Sequence, residues 1–332
     1  MRNPARPQRG AALLVALLTV ALVATLASSA LWRQWQQVAV EQAERDRQQA
    51  QWILTGALDW ARLILREDAR TNQNTGAGDH LAEPWAVGLE EARLSSFLAA
   101  DKTSDPPPAL DAFLSGRITD QQGLLNVANL VQGNAVSKEG VEAFERLFQQ
   151  LALPKAWVLP AAQAWLRASV TTTDANATTG TRLLKPQRVN QLAWLGWNET
   201  VVRRLAPFIT VLPERTPVNL NTASPEVLMA VVPRLDRVQA QRIVTQRALQ
   251  PFRNLADVAA LISGIQTHAD WHSTQSRYFV VLGQMRLEDK LLAEESLVVR
   301  NGLEVRTLWR QRVPPPPATP TRDDAASQPP PR

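Results

Sequence analysis

His268 and His272 stand four residues apart, the spacing at which two imidazoles on one helical face can ligate zinc. The protease form of that motif also needs a glutamate directly after the first histidine to act as base, and Ala269 occupies that place. The expectation for the pair is a solvated surface. With three histidines and no cysteine in the chain, there is no thiol nucleophile, no thiolate metal site and no disulfide framework. No G-x-S-x-G elbow, Walker loop or dinucleotide fingerprint occurs either, so the residues argue against an enzyme. Asp101, Asp105 and Asp111, or Asp174 with Asn176, have the oxygen ligands that calcium requires. The loop Asp174-Ala-Asn-Ala-Thr-Thr-Gly is nonetheless poor in acid for a dedicated calcium site, and a solvated loop is expected there.

Nucleic acid is the other ligand class to weigh. The segment VNLNTASPEVLMAVVPRLDRVQAQRIVTQRALQPFRNLADV, residues 218 to 258, resembles the helix-hairpin-helix region of membrane-anchored competence DNA receptors. Such hairpins use glycines to let backbone N–H groups at a helix start approach a phosphate. This chain has Pro233-Arg234-Leu235-Asp236 instead, which removes a donor, adds bulk and places negative charge where the phosphate would sit. Arg234, Arg237, Arg242 and Arg247 are available for a basic face, but a solvated helix surface is the expected reading. The formal net charge of +5 falls to +2 once the three arginines of the first ten residues are set aside, which gives little support to nucleic-acid binding.

The elements that would position these residues begin with an uncharged run, AALLVALLTVALVATLASSAL, from Ala11 to Leu31. A helix of that length spans the ~30 Å hydrocarbon core of a bilayer, and Arg2, Arg6 and Arg9 before it set a cytoplasmic N-terminus. The run is longer than the apolar region of a cleavable signal peptide, although Ser28-Ser29-Ala30 would suit a cut of that kind. A short basic leader ending at Arg9-Gly10, cut before the apolar helix, looks like the processing signal of type IV pilins and type II secretion pseudopilins. Cleavage would then fall between Gly10 and Ala11. A signal anchor followed by a separate domain is a further reading that periodicity leaves open.

Helical spacing of apolar residues continues to about Asp68 with no proline, so the helix is expected to run from Ala11 to Arg70, its Ile53 to Leu65 portion packed on a globular domain. Loop signals follow Asn72, and SGRITDQQGLLNVANL reads as two short strands around a turn near Asp120 to Gly123. Helices are expected near Ser137–Leu151, Pro160–Val170, Val189–Leu195 and Asn198–Phe208, then after Ser224, Asp236 and Asn254 as caps. Alternation from Arg277 to Leu287, Leu291 to Arg300 and Glu304 to Gln311 reads as a three-strand meander, followed by a proline-rich, disordered tail. Strand signals on both sides of a helical block indicate an α+β domain with an inserted helical domain. At 45% hydrophobic and 20% charged residues, the chain has the composition of a folded protein.

The chain resembles the minor pseudopilin K family of type II secretion systems. The residues that carry the resemblance are the RGAALLVALLTVAL junction, DHLAEPWA at Asp79 to Ala86, SGRITDQQGLLNVANL at Ser115 to Leu130, the segment from Arg204 to Pro233, and the closing SRYFVV strand. The resemblance implies a pilin-like α+β fold: a long N-terminal transmembrane helix packed on a small antiparallel sheet, with a large inserted all-α domain. The expected division is a leader at 1–10, a transmembrane helix at 11–31 and its periplasmic continuation at 32–70. The first part of the pilin-like domain covers 71–130, the insertion 131–275, the C-terminal strands 276–312 and the tail 313–332. It further implies cleavage by prepilin peptidase, N-methylation of Ala11, and assembly with the I- and J-type minor pseudopilins and the major pseudopilin. Placement in the inner membrane with the C-terminal domain in the periplasm follows, with secreted substrates and the outer-membrane secretin as further contacts and no nucleic-acid partner. Some family members bind calcium, but no ligands carry over to this sequence and no cofactor is assigned.

Val15 is where the chain departs from ordinary pilins. Counted from Ala11 it is the fifth mature residue, where most pilins carry a glutamate thought to pair with the α-amino group of the subunit ahead. A subunit with nothing ahead of it has no partner for that charge, so Val15 suits a fibre tip, although valine is also ordinary in any membrane span.

Overall fold

The computed structural model describes residues 9–94, 112–169, 184–262, 264–287 and 290–314. It falls into two compact units, 1–55 and 56–332. The candidate calcium residues Asp101, Asp105, Asp111, Asp174 and Asn176, the leader before Arg9 and the tail from 315 lie outside the described residues.

Unit 1 is helical throughout its described part. It belongs to α1 (Arg9–Thr75), whose Ala11–Leu31 stretch has exposed aliphatic side chains and no charge. Three hydroxyls inside this stretch bond back to their own helix: Thr19 to the Ala16 carbonyl at 2.9 Å, Thr25 to Leu22 and Ser29 to Leu26, each at 2.8 Å. That satisfies three of the four hydroxyls in the run, Ser28 being the fourth.

In unit 2 the last turns of α1 continue to Thr75, beyond the expected end at Arg70. The helix stops where Gly76 takes a left-handed φ of +67° and its N–H bonds the Asn72 carbonyl at 2.8 Å, a terminus glycine reaches without a Cβ penalty. A five-stranded antiparallel sheet follows from β1 (Leu89–Arg93), β2 (Ala112–Asp120), β9 (Tyr278–Leu287), β10 (Lys290–Asn301) and β11 (Glu304–Val313), in the order β1-β2-β9-β10-β11. The expected meander is present as β9 to β11, closed by a turn in which Gly302 has φ +58°. β1 was not expected. Its sequence, LEEAR, has no apolar alternation, and it pairs with β2 across an irregular register as an edge strand.

Between β2 and β9 lie short ladders and helices. β3 (Leu125–Asn126) pairs in parallel with β6 (Ile209–Thr210), β4 (Val131–Gln132) with β5 (Ala135–Val136), and β7 (Val218–Asn219) in parallel with β8 (His272–Ser273). The helices are α2 (Lys138–Gln150), α3 (Val158–Ser169), α4 (Glu199–Leu205), α5 (Pro225–Val231), α6 (Arg237–Leu249) and α7 (Leu255–Leu261), and the helix expected at Val189–Leu195 is of the 3-10 type. Asn198, Ser224, Asp236 and Asn254 cap α4 to α7 as their positions predicted, each accepting a backbone N–H three residues on.

The helical block has its own core, running from Leu125 to Ile262 and centred on Phe144, Phe148, Trp165 and Trp197. A second core forms where α1 lays Leu58, Ala61 and Leu65 on the sheet against Phe279, Val281, Val298 and Val305, with the Trp85 ring edge-on to Phe279 at 5.2 Å. The opposite face of the sheet is also covered, by Tyr278, Leu297 and Val299 around Leu212.

Candidate functional site

The polar centre of unit 2 is built around Arg300, near the end of β10. Its Nη1 donates to Asp68 of α1 at 2.7 Å, its Nη2 donates to Asp79 and, at 2.9 Å, to the Ser276 carbonyl, and its guanidinium lies 4.9 Å from the Phe279 ring centroid. All three charged groups are buried. Asp79 also accepts the Ser276 N–H at 2.6 Å, and Asn72 bridges Asp79 to Glu83. Glu83 in turn accepts the His80 N–H at 2.8 Å and the Trp85 indole N–H at 2.7 Å. The segment Asp79 to Ala86 therefore clips the end of α1 to the sheet.

A second node joins the sheet to the helical block. Asp120, the last residue of β2, accepts the Gln122 N–H at 2.7 Å, the Thr222 and Ser276 hydroxyls at 2.6 Å each, and Asn219 Nδ2 at 3.1 Å. Asn219 donates also to the Asp79 carbonyl, and Asn221 makes a two-bond clamp on the Phe252 backbone. At Gly78 the backbones come so close that a Cβ would sit 2.4 Å from the Thr274 carbonyl oxygen, which is why glycine stands there.

Burial sets the electrostatics. Asp120 is pushed up to about 6, first by burial, with the bonds from Ser276, Thr222 and Gln122 pulling it back. Asp68 is pushed up to about 7 by burial and then by Glu83, Arg300 opposing. Arg300 itself shifts upward despite its burial, because Asp79 and Asp68 hold its charge. Arg300 stays charged between Asp68 and Asp79, and burial, with Glu83 close by, makes Asp68 a weaker acid than a free aspartate.

Ligand oxygens of Asp68, Asp79 and Glu83 lie within 4.8 Å of one another, as a metal site would require. The arrangement does not fit a calcium ion. Arg300 already stands at Asp68 and Asp79, while both oxygens of Asp79 and of Glu83 accept protein donors. The cluster holds elements together.

Two expectations from sequence fail here. His268 and His272 do not share a helical face: a turn joins them, His272 is buried in β8, and its Nδ1 accepts the His268 N–H at 3.0 Å. Burial lowers the His272 pKa, and its Nε2 lies 3.3 Å from the Val231 carbonyl. Nor are the four arginines of the hairpin region all on the expected solvated surface, since Arg247 is buried, donates to the Leu220 carbonyl at 2.7 Å and is lowered to about 10 by burial. The N-terminus of α6 is occupied as well: Asp236 accepts the Gln239 N–H at 2.8 Å and Gln239 reciprocates, a capping box where a phosphate would have to bind. Arg234 adopts a left-handed φ of +64° in the turn where a glycine would be at ease.

Of the sequence-derived positions, Gly10, Ala11 and Val15 lie in the first turns of α1, Ala11 and Val15 exposed. The network around Arg300 and Asp120 was not read from the sequence. Asp79, Glu83, Asp120, Asn219, Thr222 and Ser276 all lie in segments noted for their likeness to a family, but nothing in those segments showed that they meet.

Family models described as type II secretion system (T2SS), protein K, match residues 123–214 and 218–280. Type II secretion system protein K of Pseudomonas aeruginosa is 30% identical over 303 residues, covering 86% of this chain and 86% of that protein. The chain belongs to the type II secretion system protein K family. The Klebsiella pneumoniae member is 26% identical over 330 residues, covering 87% of this chain and 93% of its own length. Among solved structures, a chain of the GspK-GspI-GspJ complex from enterotoxigenic Escherichia coli superposes with a TM-score of 0.62 at 19% identity, over 82% of this chain and 99% of that one. The fold is α+β, as expected. Membership makes the chain a minor pseudopilin, a structural component of the secretion system. The helix-hairpin-helix DNA receptor is not supported.

Proposed function

We propose that this K-family pseudopilin is cut by prepilin peptidase between Gly10 and Ala11, methylated at Ala11, and held in the inner membrane by Ala11–Leu31 with its C-terminal domain in the periplasm. The span supports this reading: its most apolar window has a mean hydropathy of 2.4, and none of that window is buried. Trp32 and Trp35, with ring centroids 5.7 Å apart, follow where an interfacial aromatic belt is expected. In this reading α1 and the five-stranded sheet make a pilin-like domain, 131–275 is its helical insertion, and assembly needs no cofactor.

The same reading places the chain at the tip of the pseudopilus with the I- and J-type minor pseudopilins above the major one, where it supports export of folded proteins through the secretin. The observation that carries it is Val15, which leaves the fifth mature position without a charge to donate to a subunit ahead. The name of the GspK-GspI-GspJ complex supports the choice of partners. Mass spectrometry of the native N-terminus is the test. A methylated Ala11 is expected; a chain beginning at Leu31 or an intact Met1 would refute the processing on which the tip position depends.

A further inference from the structure

Arg215 is half-buried, yet its Nε has no hydrogen-bond partner and no ion pair to its guanidinium occurs among the described residues. The ring of Trp271 covers it, the guanidinium carbon lying 5.4 Å from the ring centroid. The acid next to it in sequence is already engaged, because Glu214 accepts from Arg277 Nη1 at 3.2 Å and from the Tyr278 hydroxyl at 2.6 Å. A half-buried guanidinium has given up part of its hydration, and without an acceptor that loss is not compensated.

Arg215 lines a cleft of about 290 Å³, with Arg277, Gln73 and Gln275 among the other walls. Asp79 and Arg300 at the same cleft are satisfied by each other. With Nε enclosed, the terminal Nη groups are what Arg215 offers the cleft. A stacked, planar guanidinium with a free fork is suited to a carboxylate, and the amides of Gln73 and Gln275 add neutral donors. A phosphate is a poorer match, since its second charge would add to the repulsion from Asp79, which lines the same cleft.

We propose that this cleft binds an acidic side chain of a protein partner, with Arg215 as the anchor stacked on Trp271. This goes beyond the tip reading and does not depend on it. The test is calorimetric titration of the full chain in non-ionic detergent with N-acetyl-Glu-Glu-amide, N-acetyl-Gln-Gln-amide and inorganic phosphate. The glutamyl peptide is expected to saturate with a Kd of about 1 mM, the glutaminyl peptide not to bind, and phosphate to bind more weakly than the glutamyl peptide. Arg215→Gln should abolish binding, and Arg215→Lys, which keeps the charge but loses the fork, should weaken it about tenfold. Both variants should remain folded, their melting shifted only by what the contact with the Trp271 ring contributes, because no hydrogen bond or ion pair among the described residues depends on the guanidinium. Absence of saturable binding, equal binding by the two peptides, undiminished binding to Arg215→Gln, or phosphate binding tighter than the glutamyl peptide would each overturn the proposal.

Discussion

Arg300 is the shared partner of two buried acids, Asp68 and Asp79, and burial of the acids around it and of Asp120 sets the response to mutation and pH. Removing a buried partner leaves uncompensated charge, so Arg300→Met is expected to cost about 3–5 kcal/mol, read as a lowered urea midpoint by tryptophan fluorescence. Asp120 gives a pH signature of opposite sense to the usual acid. Its folded pKa of about 6 lies above the ~3.9 of an unfolded aspartate, so the folded state holds the extra proton between those values. Stability from this group is therefore greatest below about pH 4 and falls as pH rises to about 6, by on the order of 3 kcal/mol. Asp120→Asn, which cannot ionise, should gain on the parent across that window. A constant difference between the two proteins from pH 4 to 6 would contradict this account. Asp68 extends the same trend toward pH 7.

At the scale of elements, the helix starts were legible and several interiors were not. Asn198, Ser224, Asp236 and Asn254 could be named as caps because a cap is satisfied by residues two or three positions away. Strand β1 escaped notice because short, polar edge strands carry little periodic signal, and α1 outran its predicted end because its stop depends on the backbone of Gly76. The turn before α6 illustrates a local sequence at odds with its conformation. Arg234 holds a left-handed φ that costs a side-chain-bearing residue about 1 kcal/mol. Arg234→Gly is accordingly expected to raise unfolding stability by about that amount, measured by urea denaturation; a neutral or harmful outcome would mean that the Arg234 side chain contributes more than its strained backbone costs.

For the whole molecule, the proposed tip position makes a prediction of its own. Val15→Glu would place a carboxylate near the end of the span at a cost below the roughly 2.5–3.5 kcal/mol of a charge at the bilayer centre, with no subunit ahead to pair it. Secretion supported by the variant should drop several-fold in a complementation assay. Full secretion, with the new carboxylate cross-linked to an amino terminus ahead of it, would move the chain into the shaft. Taken by itself, the sequence determined the features that neighbouring residues fix: the apolar span and its flanking charge, the position of Val15, the helix caps, and the alternation of β9 to β11. Tertiary structure alone decided which polar residues face water. His272 and Arg247 read as surface groups and are buried, while Asp68 and Arg300, 232 positions apart, form the centre of the network. The reason is physical: a polar side chain tolerates burial only when partners are supplied, and for Arg300 and Arg247 those partners come from distant parts of the chain that no short window of sequence contains.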